Sequence, residues 1–190
     1  MVRSILCGDT KYSNQSLGHI FEDLGNWITS IKNTKKDLLK RRDSAFKQDV
    51  CCDFKALINE SIISLETFEA EITEILFDIK NEVVEQHHTK RLKRMGEIAS
   101  DLNKKFGVVW HQKYKNKNYE KPWFRNVEFL YINGRDEMAN LIDLISLSER
   151  LEDFVGRKKR KSQNLKFLKG TAEWLIKLMP ILKPFLAKIL

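Results

Sequence analysis

The chain holds 190 residues, 42% hydrophobic and 32% charged, enough for one domain with a proper core and too well supplied with apolar side chains to be disordered. With 8 glycines and 3 prolines, it has few of the tight turns that an all-β fold needs. Its 3 cysteines include the adjacent Cys51 and Cys52, which argues against a disulfide scaffold and fits a reducing, cytoplasmic compartment.

The net charge of +8 is unevenly placed. From Gly156 to Leu190 there are ten Lys or Arg and one acid, Glu173, while the preceding 155 residues hold 24 basic and 25 acidic side chains. The tail thus carries +9 and the body −1. Such asymmetry directs any search for an anionic partner to the tail.

Near the start, the apolar run Ile5, Leu6, Cys7 falls short of the roughly 7–15-residue core of a secretory signal. From Leu17 the positions Ile20, Phe21, Leu24, Trp27, Ile28, Ile31, Leu38 and Leu39 follow three-and-four spacing and predict a first helix of about 22 to 25 residues, with Asn14 or Ser16 placed to cap it. Phe54, Ile58, Ser61, Leu65, Phe68, Ile72, Ile75 and Ile79 form a second seam, which Leu57, Ile62, Leu76 and Val83 widen to the breadth of a bundle core. Polar His87, His88 and Thr89 interrupt it. Leu92, Met95, Ala99, Leu102 and Phe106 then resume the spacing, slipped by one position as a straight helix slips against a heptad repeat. One kinked helix over 54–106 and two shorter ones both satisfy this pattern. Gly107 is read as its end, Val108 to Trp123 as an irregular connection containing Pro122, and a last bundle helix as running from near Trp123 to Gly156. The expected architecture is all-α: an antiparallel bundle of three or four long helices over 1–155, a polybasic linker over 156–164, and a cationic amphipathic helix over 165–190.

In the tail, Arg157, Lys158, Lys159, Arg160 and Lys161 are contiguous. On a helix from Asn164, Lys166, Lys169, Glu173, Lys177, Pro180, Pro184 and Lys188 fall within about 60° of one line. Trp174, Leu175, Leu178, Met179, Leu182, Phe185 and Leu186 lie on the apolar remainder. A cationic face, an aromatic and aliphatic face, and an adjoining basic run are what a helix lying in a membrane surface requires. The lysines at 177, 183 and 188 argue against spanning, and no run reaches about 18 consecutive apolar residues. The same arc would equally fit a protein groove or a second copy of the chain.

Between Trp110 and Arg125, aromatics alternate with cations, and Trp110, Lys113, Tyr114, Lys117 and Tyr119 are the candidates for contact with single-stranded nucleic acid; packing against the end of the bundle competes for the same residues. Catalytic chemistry has little to build on. Glu85 and His88 have the spacing of a di-metal bundle motif, yet that site needs a second such pair, so both read as helix-surface residues. No Cys-x-x-Cys, His-Glu-x-x-His, Gly-x-Ser-x-Gly or phosphate-binding glycine loop is present. The expectation is a non-enzymatic protein with no metal or cofactor site, cytoplasmic or peripheral to a membrane, that acts by association.

Overall fold

In the computed structural model, the backbone is described for residues 3–48, 50–81, 83–114 and 124–186, and side chains for those of them lying between 17 and 169. The described residues are all-helical, with no strand among them. Five helices follow in order: α1 (Arg3–Phe46), α2 (Cys52–Lys80), α3 (Gln86–Lys113), α4 (Phe124–Leu141) and α5 (Leu144–Leu186). The chain divides into two compact units, Met1–Glu152 and Asp153–Leu190.

The first unit is built on a ring of four helices, in which α1 neighbours α2 and α4, and α3 completes the ring between those two. Polar pairs read out the direction of each neighbour. Lys35 meets Glu69, and Lys55 donates to the Phe46 carbonyl. Arg91 meets Glu71 and Glu74, while Lys105 meets Glu60. Arg41 reaches Asn126 and Thr34 reaches Glu137. Residue numbers rise on one helix as they fall on the other in every pair, so the neighbours are antiparallel, as short connections require.

The core follows the seams. On α1, Leu24, Ile31, Leu38 and Ala45 are fully buried at intervals of seven. On α2 the buried set is Phe54, Leu57, Ile58, Ser61, Ile62, Leu65, Phe68, Ile72, Ile75 and Ile79, each of the large aliphatics contributing about 1.5–3 kcal/mol of burial. Ser61, the polar break in that seam, donates its hydroxyl to the Leu57 carbonyl at 2.8 Å, so a polar group is buried without being orphaned. Two glycines set the closest approaches. A Cβ on Gly134 would stand 2.6 Å from Cζ of Phe106, and one on Gly96 would stand 2.6 Å from Cγ1 of Ile145.

Several boundaries differ from the sequence expectation. The first helix begins before Asn14 and Ser16, which lie inside α1 rather than capping it. The 54–106 region is two helices: α2 ends at Lys80, and His88 belongs to the first turn of α3. Gly107 ends nothing, because α3 continues to Lys113 and closes on Tyr114, whose N–H meets the Trp110 carbonyl. The expected single helix from Trp123 to Gly156 is broken at Ile142–Asp143, where i→i+3 bonds from Asp143 to Asn140 and from Ile145 to Ile142 replace the helical ladder. This turn lies against Gly96, where the missing Cβ admits the Ile142 carbonyl and the Ile145 backbone. Gly156 lies within α5, as do residues 156–164, which are helical. A glycine in a helix costs about 1 kcal/mol and need not end it.

Candidate functional site

The basic run sits on α5 of the second unit. Arg157, Lys158, Lys159, Arg160 and Lys161 are all exposed, as is every residue from there to Lys169. Between Arg157 and Lys169 there are seven Lys or Arg and no Asp or Glu. The Arg157 and Arg160 guanidiniums fold back along the helix, donating to the Asp153 and Gly156 carbonyls at 3.3 and 3.4 Å. Lys158, Lys161, Ser162, Leu165, Lys166 and Lys169 line one shallow groove along this surface, since intervals of three, four, seven and eleven return to nearly the same side. Phe167 is 71% exposed, with Leu165 and Leu168 also strongly exposed. The backbone stays helical through Pro180 and Pro184. The side chains of Trp174, Leu175, Leu178, Met179, Leu182, Phe185 and Leu186 lie outside the described residues. No helix is long and apolar enough to cross a membrane among the described residues.

The aromatic and lysine candidates at the end of α3 are placed differently. Trp110 stacks on Tyr131 of α4, with ring centroids 4.0 Å apart and planes 14° from parallel. Tyr114 is buried, edge-on to Phe54 at 5.6 Å. Phe124 lies 5.7 Å from Trp110 and 6.0 Å from Tyr114. The rings thus close the end of the bundle, joining α2, α3 and α4. Lys113 stands 3.7 Å from Asp53. Lys117 and Tyr119 lie outside the described residues.

Glu85 and His88 require a correction. His88 is fully buried, and Glu85 is the residue preceding α3 rather than part of a helical surface. The His88 Nδ1 accepts the Glu85 backbone N–H at 3.1 Å, and Nε2 lies 2.9 Å from Oδ2 of Asp78. Because an N–H donates to Nδ1, the proton of the neutral ring is on Nε2 and points at Asp78. The His87 ring lies beside it, tilted by 48°, with centroids 3.9 Å apart. Ligand atoms of Asp78, His87 and His88 lie within 4.8 Å of one another, a spacing that could hold a cation. The chemistry argues otherwise: a cation at Nε2 would displace the Asp78 bond and drive the proton onto Nδ1, against the Glu85 N–H. His88 is better described as a clamp between the end of α2 and the start of α3.

Glu137 is the feature that sequence reasoning missed. It is only 4% exposed, and its Oε2 accepts the Ser30 and Thr34 hydroxyls of α1 at 2.9 and 3.1 Å, while Oε1 is buried with no partner in the structure. Burial pushes its carboxyl above the usual range, and the two hydroxyls pull the other way without prevailing. The available signal was its position: Leu130, Gly134, Glu137, Met138 and Leu141 share one buried seam. Beside it, Asp23, Asn26, Trp27 and Ser30 of α1 face Asp143 of the α4–α5 turn and Ser146, Leu147 and Arg150 of α5 across a groove of about 460 Å³. Arg150 meets Asp23 at 2.8 Å within it. The groove holds neither His nor Cys, so it lacks the usual nucleophile and base pairs. Cys51 is half-buried and Cys52 exposed.

No family model, no curated protein and no solved structure matches the chain.

Proposed function

We propose that this is a non-enzymatic helical-bundle protein that associates peripherally with an anionic membrane surface through the C-terminal part of α5. One observation carries the reading: seven cations on a helical segment whose every residue is exposed, with no acid among them, leading into a sequence rich in Leu and Ile that also carries Trp174 and Phe185. Each cation near an anionic leaflet contributes about 1 kcal/mol, so Arg157 to Lys161 supply up to ~5 kcal/mol of attraction before any apolar side chain inserts. The apolar sequence beyond it supplies the second signal that stable anchoring needs.

Two other occupants compete for the tail. A nucleic-acid reading draws mainly on the basic run, because Trp110 and Tyr114 are engaged in the ring cluster. An assembly reading, with the terminal segment in the groove of a partner or of a second copy, draws on the exposed Leu165, Phe167 and Leu168.

Flotation of the full-length chain with vesicles containing phosphatidylserine, against vesicles of phosphatidylcholine alone, tests the proposal. The chain is expected to float with the first and not the second, and the combined change of Trp174, Leu178 and Phe185 to Ser is expected to leave it at the bottom. A chain that ignores both vesicles but forms a salt-resistant oligomer would support assembly instead.

A further inference from the structure

Within the basic segment, Ser162 is the one hydroxyl between Arg157 and Lys169. It is exposed and shares its groove with Lys158, Lys161, Lys166 and Lys169. Around the helix, Lys158, Lys166 and Lys169 lie within about 40° of it, and Lys158 and Lys166 stand one turn to either side, about 6 Å along the axis. We infer that Ser162 is a phosphorylation site whose modification releases the segment from an anionic membrane surface; the inference rests on the membrane reading above.

Three properties of the segment support it. The five residues before Ser162 are all cationic, the substrate chemistry that suits a protein kinase with an acidic groove. The helix here is easily opened to enter such a groove, because Arg157 faces Arg160 and Lys161, and Lys158 faces Lys161, at spacings where like charges destabilise a helix. The product is also stabilised locally, since a phosphate on Oγ would lie within reach of lysines on both adjacent turns and form charge-assisted bonds to them.

The reaction is an ordinary transfer from ATP. The Ser162 Oγ forms a bond to the γ-phosphorus, the bond from that phosphorus to the β–γ bridging oxygen breaks, ADP leaves, and the hydroxyl proton passes to the kinase's base. The modified side chain carries about −1.5 to −2 at neutral pH, which lowers the segment from +7 to about +5. It also turns two or more lysines inward to the phosphate and away from lipid headgroups. Losing about two charges at an anionic surface corresponds to about thirty-fold weaker binding.

The test uses the full-length chain, a basophilic Ser/Thr kinase with ATP, and vesicles of equal parts phosphatidylserine and phosphatidylcholine. Mass spectrometry should place a phosphate on Ser162, and the modified chain should bind about thirty-fold more weakly than the unmodified one. Ser162→Ala should bind like the parent and be insensitive to kinase treatment, while Ser162→Glu, with one added charge, should bind about five-fold more weakly. Failure of Ser162 to accept phosphate, or unchanged binding once it has, overturns the inference and leaves the membrane reading standing. An unmodified chain that does not bind the vesicles overturns the membrane reading, and the release with it.

Discussion

The bundle and the C-terminal part of α5 use the same charged residues in opposite ways. In the bundle, cations are set against acids on the next helix: Lys35 with Glu69, Arg91 with Glu71 and Glu74, Lys105 with Glu60, Lys113 with Asp53. The Lys35 ammonium holds the Glu69 carboxyl below the usual range, against the opposing effect of burial. Exposed pairs of this kind contribute about 0–1 kcal/mol each, so their larger effect is to favour one register over its neighbours. From Arg157 to Lys169 there is no acid with which to do this. Cations set against acids on a neighbouring helix serve the fold, whereas a run of cations with no acid among them suits an anionic partner outside it.

The comparison breaks most visibly if the cations of the tail prove dispensable. Changing Arg157, Lys158, Lys159, Arg160 and Lys161 together to Gln should weaken vesicle binding by about a thousand-fold or more, with the parent itself losing affinity steeply as salt rises. Thermal unfolding of the bundle should be unchanged in the same variant. A variant that binds as before would mean that apolar insertion alone anchors the chain.

Inside the bundle, His88→Ala should cost about 3 kcal/mol in denaturant unfolding, because it empties a fully buried position, orphans the Glu85 N–H and strips Asp78 of its partner. A loss under about 1 kcal/mol would show that the clamp between α2 and α3 is ornamental. Glycines sharpen the contrast further. Gly134→Ala drives a Cβ into the Phe106 ring and should cost about 1–3 kcal/mol, whereas Gly25→Ala, with nothing within 4 Å, should stabilise α1 by about 0.5–1 kcal/mol. Equal effects at the two sites would contradict the close α3–α4 approach.

The smallest expected effect is one of pH. Burial raises the Glu137 carboxyl above its ordinary value of 4.5, so the folded state holds this proton more tightly than the unfolded chain. That contribution is fully present below the unfolded value and is lost as pH rises through the folded one. Glu137→Gln removes this dependence. Denaturant midpoints between about pH 4 and 8 should therefore show the variant gaining on the parent as pH rises; a constant gap would assign the carboxyl no role in the profile.

The core was legible because periodicity reports it directly. Every apolar residue of the main α2 seam from Phe54 to Ile79 is buried. The α2–α3 turn was not legible, because a one-residue slip in the seam reads the same for a bent helix and for two. That ambiguity also concealed the part played by His88: its partner Asp78 lies ten residues back, within reach only if the chain reverses between them. Glu137 was hidden for a different reason. An acid in an apolar seam reads as a flaw until Ser30 and Thr34, more than a hundred residues away, are seen to face it. The basic run was fully visible, whereas its helical conformation was not, since composition marks a solvated linker and an exposed helix alike.

The ring of four helices also has a consequence for the order in which it assembles. The α1–α2, α2–α3 and α3–α4 pairings join helices adjacent in sequence, so each closes as a hairpin at low loop entropy. The α1–α4 pairing alone in the ring spans the whole bundle, with Ser30 and Thr34 reaching Glu137 across 107 and 103 residues. Closure of that seam carries the largest entropic cost and brings the buried carboxyl out of water, so it is the natural last step of folding and the first to open in unfolding. Substitutions at Ser30, Thr34 and Glu137 should act on the unfolding rate and leave the folding rate nearly untouched.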